Sequence, residues 1–292
     1  MDTPRHENSL ILQAFRMRVL LIIGLAIAAT AAVLSLPPIA QDKAYHNFAD
    51  ARSLLGAPNL LNVISNVPFV VVGALGVIFL LRQWPMRQGV PLIDPWERWP
   101  FLVLFGGVGL TGFGSAYYHL VPTNATLFWD RLPMTIAFMS FFAAIIAERI
   151  SLSAGRWLFL PLVAAGMGSV VSWQLGELQG AGDLRFYGLV QFFPLLAIPL
   201  MLLLFPPRYT RTGDLFGVVG LYALAKIFEL LDAQIFALGR LVSGHTLKHL
   251  ASAMAAYWIL QMLRKRSPVE PFHAQRPAAP LTTATPTSPI CL

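Results

Sequence analysis

The pair in this chain with the clearest chemical meaning is His245 and His249, four residues apart. At 3.6 residues per helical turn the two stand on one helix face, one above the other. That is the spacing by which two imidazoles reach a single metal ion. Ser115 and His119 repeat it, and Asp130 follows in the run Asp130-Arg131-Leu132-Pro133-Met134. Three neutral imidazoles plus a water form a common catalytic zinc set, and a nearby carboxylate such as Asp130 is suited to act on that water as general base. Other readings of these residues stand beside this one. A single histidine at a helix end is an ordinary polar cap. Paired histidines also ligate haem, although there they sit on opposite sides of a porphyrin, whereas His245 and His249 share one face. Ser115 after Gly114 resembles the setting of an intramembrane serine nucleophile, but no glycine follows it and the nearest histidine lies on its own helix face.

The elements that position these residues are read from composition. Of 292 residues, 56% are hydrophobic and 12% charged, against about 25% charged in soluble domains. The mean hydropathy of +0.64 agrees. Such a chain meets lipid rather than water on its outer faces, and its backbone polar groups must be satisfied within helices. The formal net charge of +7 does not mark a nucleic-acid binder, because the cations are scattered singly among apolar runs. Eight stretches approach the roughly 17–25 apolar residues of a spanning helix: 17–36, 60–81, 100–119, 132–148, 157–173, 186–205, 215–236 and 245–263. The first has the basic flank and apolar run of a signal peptide, but no small-x-small site precedes Gln41, which favours a retained helix. Residues 267–292, rich in Pro, Thr and Ala, have the composition of a disordered tail. The single cysteine, Cys291, lies there, so no intrachain disulfide forms.

Lys and Arg set the direction. With the N-terminus in the cytoplasm and eight spans, fourteen of the cations fall in inner segments. Five fall in outer ones: Lys43, Arg52, Arg131, Arg185 and Arg240. Both termini are then cytoplasmic, and His119, Asp130, His245 and His249 all lie toward the outer side. Other polar residues also fall in or near spans. Asn59, Asn62, Ser65 and Asn66 open the second; Asn62 and Asn66 share a face, and helix capping or interhelical hydrogen bonding would account for them. In the seventh, Lys226 and Glu229 are spaced to pair, and Asp232 is the one more suited to line a site. Asp42, His46, Asp50 and Arg52 read as solvated loop residues.

With these motifs in order, the chain resembles the alkaline ceramidase family, within the wider superfamily of seven-helix membrane hydrolases that includes adiponectin-receptor-like proteins. The resemblance covers about residues 59–263. Ser115 and His119 match the family's Ser-x-x-x-His, and Asp130 to Met134 its Asp-x-Leu-Pro-Met. His245 and His249 match the closing His-x-x-x-His, and Asn62, Ser65 and Asn66 the Asn-x-x-Ser-Asn of its first helix. The resemblance implies an all-α polytopic membrane protein with a seven-helix core bundle plus one extra N-terminal transmembrane helix. The divisions would be 1–58, 59–266 for the catalytic core, and 267–292 for the tail. It also implies a zinc amidase acting on ceramide or a related N-acyl membrane lipid. His119, His245 and His249 would be the zinc ligands, Asp130 the proton carrier, and Ser115 the support for water or oxyanion. No nucleic acid and no obligatory protein partner is indicated. Calcium-binding members carry a Trp and several acidic residues before the first core helix. Here that segment has only Asp42 and Asp50, which makes calcium doubtful. A receptor or sensor on the same scaffold, and a membrane haem protein, are the rival classes.

Overall fold

The computed structural model describes residues 3–82 and 92–269. Ten helices are present among them: α1 (Thr3–Ser35), α2 (Leu60–Ile64), α3 (Val67–Arg82), α4 (Arg98–Leu120), α5 (Asn124–Arg149), α6 (Leu152–Leu178), α7 (Arg185–Leu204), α8 (Thr212–Leu230), α9 (Asp232–Ala237) and α10 (Gly244–Lys265). The described residues form no strand, only two isolated β-bridges. The chain is an all-α polytopic membrane protein. Among the described residues, six helical segments are long and apolar enough to cross a bilayer: Ser9–Ser35, Leu60–Arg82, Pro95–Leu120, Asn124–Arg149, Leu152–Leu178 and Arg185–Leu204. α8 and α10 have 19 and 22 residues, about 28 and 33 Å at 1.5 Å per residue, but are more polar. Their polar residues Lys226, Glu229, Lys248 and His249 line a cavity between the helices, where they find one another as partners.

Short connections make sequence neighbours into spatial ones. α4 passes to α5 through 121–123, where Thr123 and Thr126 form a reciprocal capping box. α5 passes to α6 through Ile150 and Ser151, whose hydroxyl caps the Ala154 N–H. α4 packs between α3 and α5, and α10 packs on α8 and α3. Small residues permit the closest approaches. A Cβ on Gly114 would stand 2.0 Å from the Trp129 carbonyl oxygen, and one on Gly244 2.2 Å from that of Phe228. The first contact presses α4 onto α5 beside Ser115 and Asp130; the second seats the start of α10 on α8. α1 is peripheral: it packs against α7, with Phe15 edge-on to Phe205 at 5.7 Å. The Arg185 guanidinium clamps its end through the Leu34 and Leu36 carbonyls at 3.0 and 2.6 Å.

Several expected boundaries move. α5 begins at Asn124, so Asp130 lies nearly two turns inside the helix rather than opening it. Arg131 is therefore a buried helix residue, 6% exposed, and not a loop cation that reports topology. The second span is broken at Ser65–Asn66, where Pro68 enters α3 without an N–H to continue the ladder. The seventh breaks at Leu231, leaving Asp232 at the head of α9. The expected tail begins as anchored chain: Thr210 N–H donates to Ser267 O at 2.9 Å, and Val269 N–H to Arg208 O at 2.9 Å. Residues 270–292, including Cys291 and Arg276, and Arg87 of the charge count, lie outside the described residues.

Candidate metal centre

His119 occupies the last turn of α4, and His245 and His249 the first two turns of α10. Their exposures are 0%, 4% and 4%. The three ring centroids are 4.8, 4.9 and 4.9 Å apart, and one ring nitrogen from each lies within 4.8 Å of the others. Nε2 of His119 and Nε2 of His245 are 3.3 Å apart. With metal–nitrogen bonds of about 2.0–2.1 Å, two ligands of a tetrahedral ion stand about 3.3 Å apart, so this pair already spans a tetrahedral edge. Among the described residues no other group of three His, Cys, Asp or Glu converges in this way. The three side chains can hold one metal ion. Rings this close leave no slot for a macrocycle between them, which sets aside haem ligation by these histidines.

A second row of polar residues orients the first, as at metal sites generally. Ser65 Oγ lies 2.7 Å from His249 Nδ1 and is fixed by the Asn62 carbonyl at 2.9 Å. With Nδ1 engaged, His249 presents Nε2 to the centre. The break between α2 and α3 is what turns Ser65 toward α10. Asn62 accepts from the Thr246 hydroxyl at 2.8 Å and so grips the start of α10, while Asn66 donates to the Asn62 carbonyl at 2.8 Å. Asn59, in a left-handed conformation with φ of 50°, donates to the His119 carbonyl at 2.9 Å. Asp232 accepts the His245 N–H at 2.7 Å and the Ala49 N–H at 3.0 Å. Asn62, Ser65 and Asn66, candidates for the site through the family motif, and Asp232, expected to line it, thus stand behind the histidines and are not among the residues lining the cavity. The other ring nitrogen of His119, Nδ1, has no hydrogen-bond partner; Phe48 and Tyr118, at 4.6 and 5.0 Å between centroids, hold this ring by packing.

His249 also lines a cavity of about 550 Å³, within the usual range for ligand pockets. Ser115, Asp130, Arg131, Lys226, Glu229 and Lys248 share one region of its wall, and side chains such as Phe138, Phe141, Leu195 and Ile259 form the rest. The cavity is mainly apolar with a few convergent polar groups. Ser115 and the Asp130 carboxylate lie beside one another on this wall, a neighbourhood that the close approach at Gly114 makes possible. Lys226 pairs with Glu229 as its spacing predicts, and Glu229 also accepts from Lys248 and from the Tyr45 hydroxyl, both at 3.0 Å.

The connection from 36 to 59 covers the histidines; of its residues expected as solvated, Asp42 and Arg52 are exposed, whereas His46 is half-buried and Asp50 buried. Phe48 lies against both His119 and His245, at 4.6 and 4.9 Å. His46 bridges the Tyr118 hydroxyl and Asn124 Oδ1 at 2.8 and 2.7 Å. Asp50 is buried and chelated by Arg52 at 2.7 Å on both oxygens; that guanidinium holds its carboxyl below the usual carboxylate range. Asp42 caps the Lys43–His46 turn through the Ala44 N–H. The two aspartates put forward for calcium are thus engaged separately. Burial raises the Tyr45 phenol, and Glu229 beside it adds to the shift. Phe48, Gln41 and Tyr45 carried no motif; only the position of this segment between two spans could have marked it as a cover. Comparison with protein-family models and with curated proteins finds no match.

Proposed function

We propose that this chain is a metal-dependent hydrolase that cleaves the amide of an N-acyl membrane lipid, ceramide or a relative, into fatty acid and amine. The observation that carries the reading is one cavity combining an imidazole of the three-histidine cluster, a buried carboxylate with its own serine, and an apolar chamber. His119, His245 and His249 would hold zinc, the ion best matched to three imidazoles with an open position. When bound, the ion supplies Lewis acidity and water that ionises near pH 7. Asp130 takes the proton from the attacking water as the C–O bond forms and returns it to the departing nitrogen as the C–N bond breaks, leaving fatty acid and amine. Ser115 orients that carboxylate. The apolar wall takes the acyl chain, and Phe48 with the 36–59 segment excludes bulk water, which strengthens the electrostatics inside. A receptor would bind lipid in the same chamber, but it has no need of the Asp130–Ser115 pair.

The test is release of fatty acid from acyl-labelled N-acyl lipids in detergent micelles by the purified, zinc-loaded chain. Turnover is expected for at least one long-chain amide; a metal-loaded protein inert toward all of them favours the receptor.

The basic residues support both termini in the cytoplasm and the metal centre toward the outer leaflet. Removing Arg131 from the outer segments sharpens that asymmetry. A reporter fused after Leu292 is expected to read as cytoplasmic and one inserted beside Asp183 as external; the reverse readings would move the centre to the inner side.

A further inference from the structure

Arg131 follows Asp130 in the chain and lines the same cavity, yet the reaction above gives it no task. Its guanidinium is held in place from three sides. Gln41 Oε1 accepts from Nη2 at 2.6 Å. The rings of Trp173, Tyr187 and Tyr45 stand 4.6, 4.7 and 5.6 Å from its carbon. Nη1, by contrast, has no hydrogen-bond partner, in a residue that is 6% exposed. The nearby carboxylates are already used. Glu229 serves Lys226, Lys248 and Tyr45, Asp130 has Ser115 beside it, and Asp42 is exposed and caps its own turn. The cavity lining carries three cations, Arg131, Lys226 and Lys248, and three carboxylates, Asp42, Asp130 and Glu229, but Asp42 is exposed and engaged by its own turn, and Lys226 and Lys248 both pair with Glu229. Neutral imidazoles add no negative charge to offset a divalent ion. Burying an unpaired cation is costly unless a partner arrives, and a planar guanidinium is shaped to receive a carboxylate in fork geometry.

Resting on the hydrolase reading, we propose that Arg131 forms a carboxylate subsite and that, among N-acyl lipids, anionic N-acyl amino acids are preferred over neutral N-acyl amines such as ceramide. Arg131 holds the headgroup carboxylate, while the adjacent Asp130 faces the scissile amide one or two bonds away. A second source of the same chemistry is the fatty acid released, whose carboxylate arises at the amide carbon, so the test includes it.

Binding is measured by quenching of tryptophan fluorescence in micelles, on zinc-loaded Asp130→Asn protein so that no lipid is consumed. Three probes with equal chains are compared: N-hexadecanoylglycine, the near-isosteric neutral N-hexadecanoylethanolamine, and hexadecanoate. The glycine conjugate is expected to bind about 10- to 100-fold more tightly than the ethanolamide, the worth of a charge-assisted pair. Adding Arg131→Gln should abolish that advantage, and Arg131→Lys should retain part of it. Equal affinity for the two conjugates, or an advantage that survives Arg131→Gln, overturns the proposal; so does an Arg131 dependence shown by hexadecanoate alone, which would assign the subsite to product. If Arg131→Gln does not fold, the preference of the Asp130→Asn protein with Arg131 intact and the effect of adding Arg131→Lys still decide. Because binding is read without turnover, a chain that selects the anion through Arg131 but releases no fatty acid keeps the subsite and loses only the hydrolase reading.

Discussion

Asp130→Asn is expected to keep its metal and lose turnover of an N-acyl lipid by roughly 10²–10⁴-fold, the usual worth of a positioned general base. Asparagine preserves the size of the side chain and an oxygen to accept from Ser115, but it cannot take a proton. The side chain is 7% exposed and on the cavity wall, and it is outside the three-nitrogen cluster. Metal content and turnover should therefore separate: kcat falls, with zinc by elemental analysis near the wild-type level. Ser115→Ala removes the neighbouring hydroxyl and no charge, and the loss should be smaller. If Asp130→Asn protein comes off the column without metal, the carboxylate is a ligand or a support of one, and its role as proton carrier is misassigned.

His245→Ala and His249→Ala should each strip the ion, taking content from about one per chain, as expected of a three-histidine site, to near zero after dialysis, with activity following. Each leaves two imidazoles on separate helices, and the surrounding row cannot substitute. Ser65→Ala supplies the graded comparison. It removes the partner of His249 Nδ1 and leaves all three ligands, so metal affinity should weaken by about 10–100-fold, the usual cost of losing an orienting partner. Metal retained at wild-type level in both histidine variants would place the ion elsewhere.

The parts of this molecule that repeat along a helix are the parts legible in its sequence. Apolar runs of spanning length marked every long helix, and a separation of four put His245 above His249 and Ser115 one turn before His119 on faces that do converge. Lys226 and Glu229 pair as their spacing required. What could not be read depends on departures from the helix or on long-range packing. The turn at Ser65–Asn66 interrupts an otherwise continuous apolar stretch, and nothing local said that Ser65 would leave the α3 axis to meet α10. Asp232 had the look of a cavity residue because it was counted as part of one long helix; the break at Leu231 turns it to the backbone of His245 instead. Arg131 looked like a boundary cation because α5 was started too late, the capping box of Thr123 and Thr126 having no charged or glycine signal. Phe48, Gln41 and Tyr45 sit in a segment without periodicity, and their roles exist only once that segment folds over the histidines.

The most direct measurement is a zinc titration of the chelator-stripped full-length chain, with fatty-acid release from an acyl-labelled N-acyl lipid recorded at each addition. The account predicts activity that rises in proportion to zinc and levels off at about one ion per chain, the stoichiometry of a three-histidine site. Release that is flat across the titration, or absent with the site filled, would contradict it.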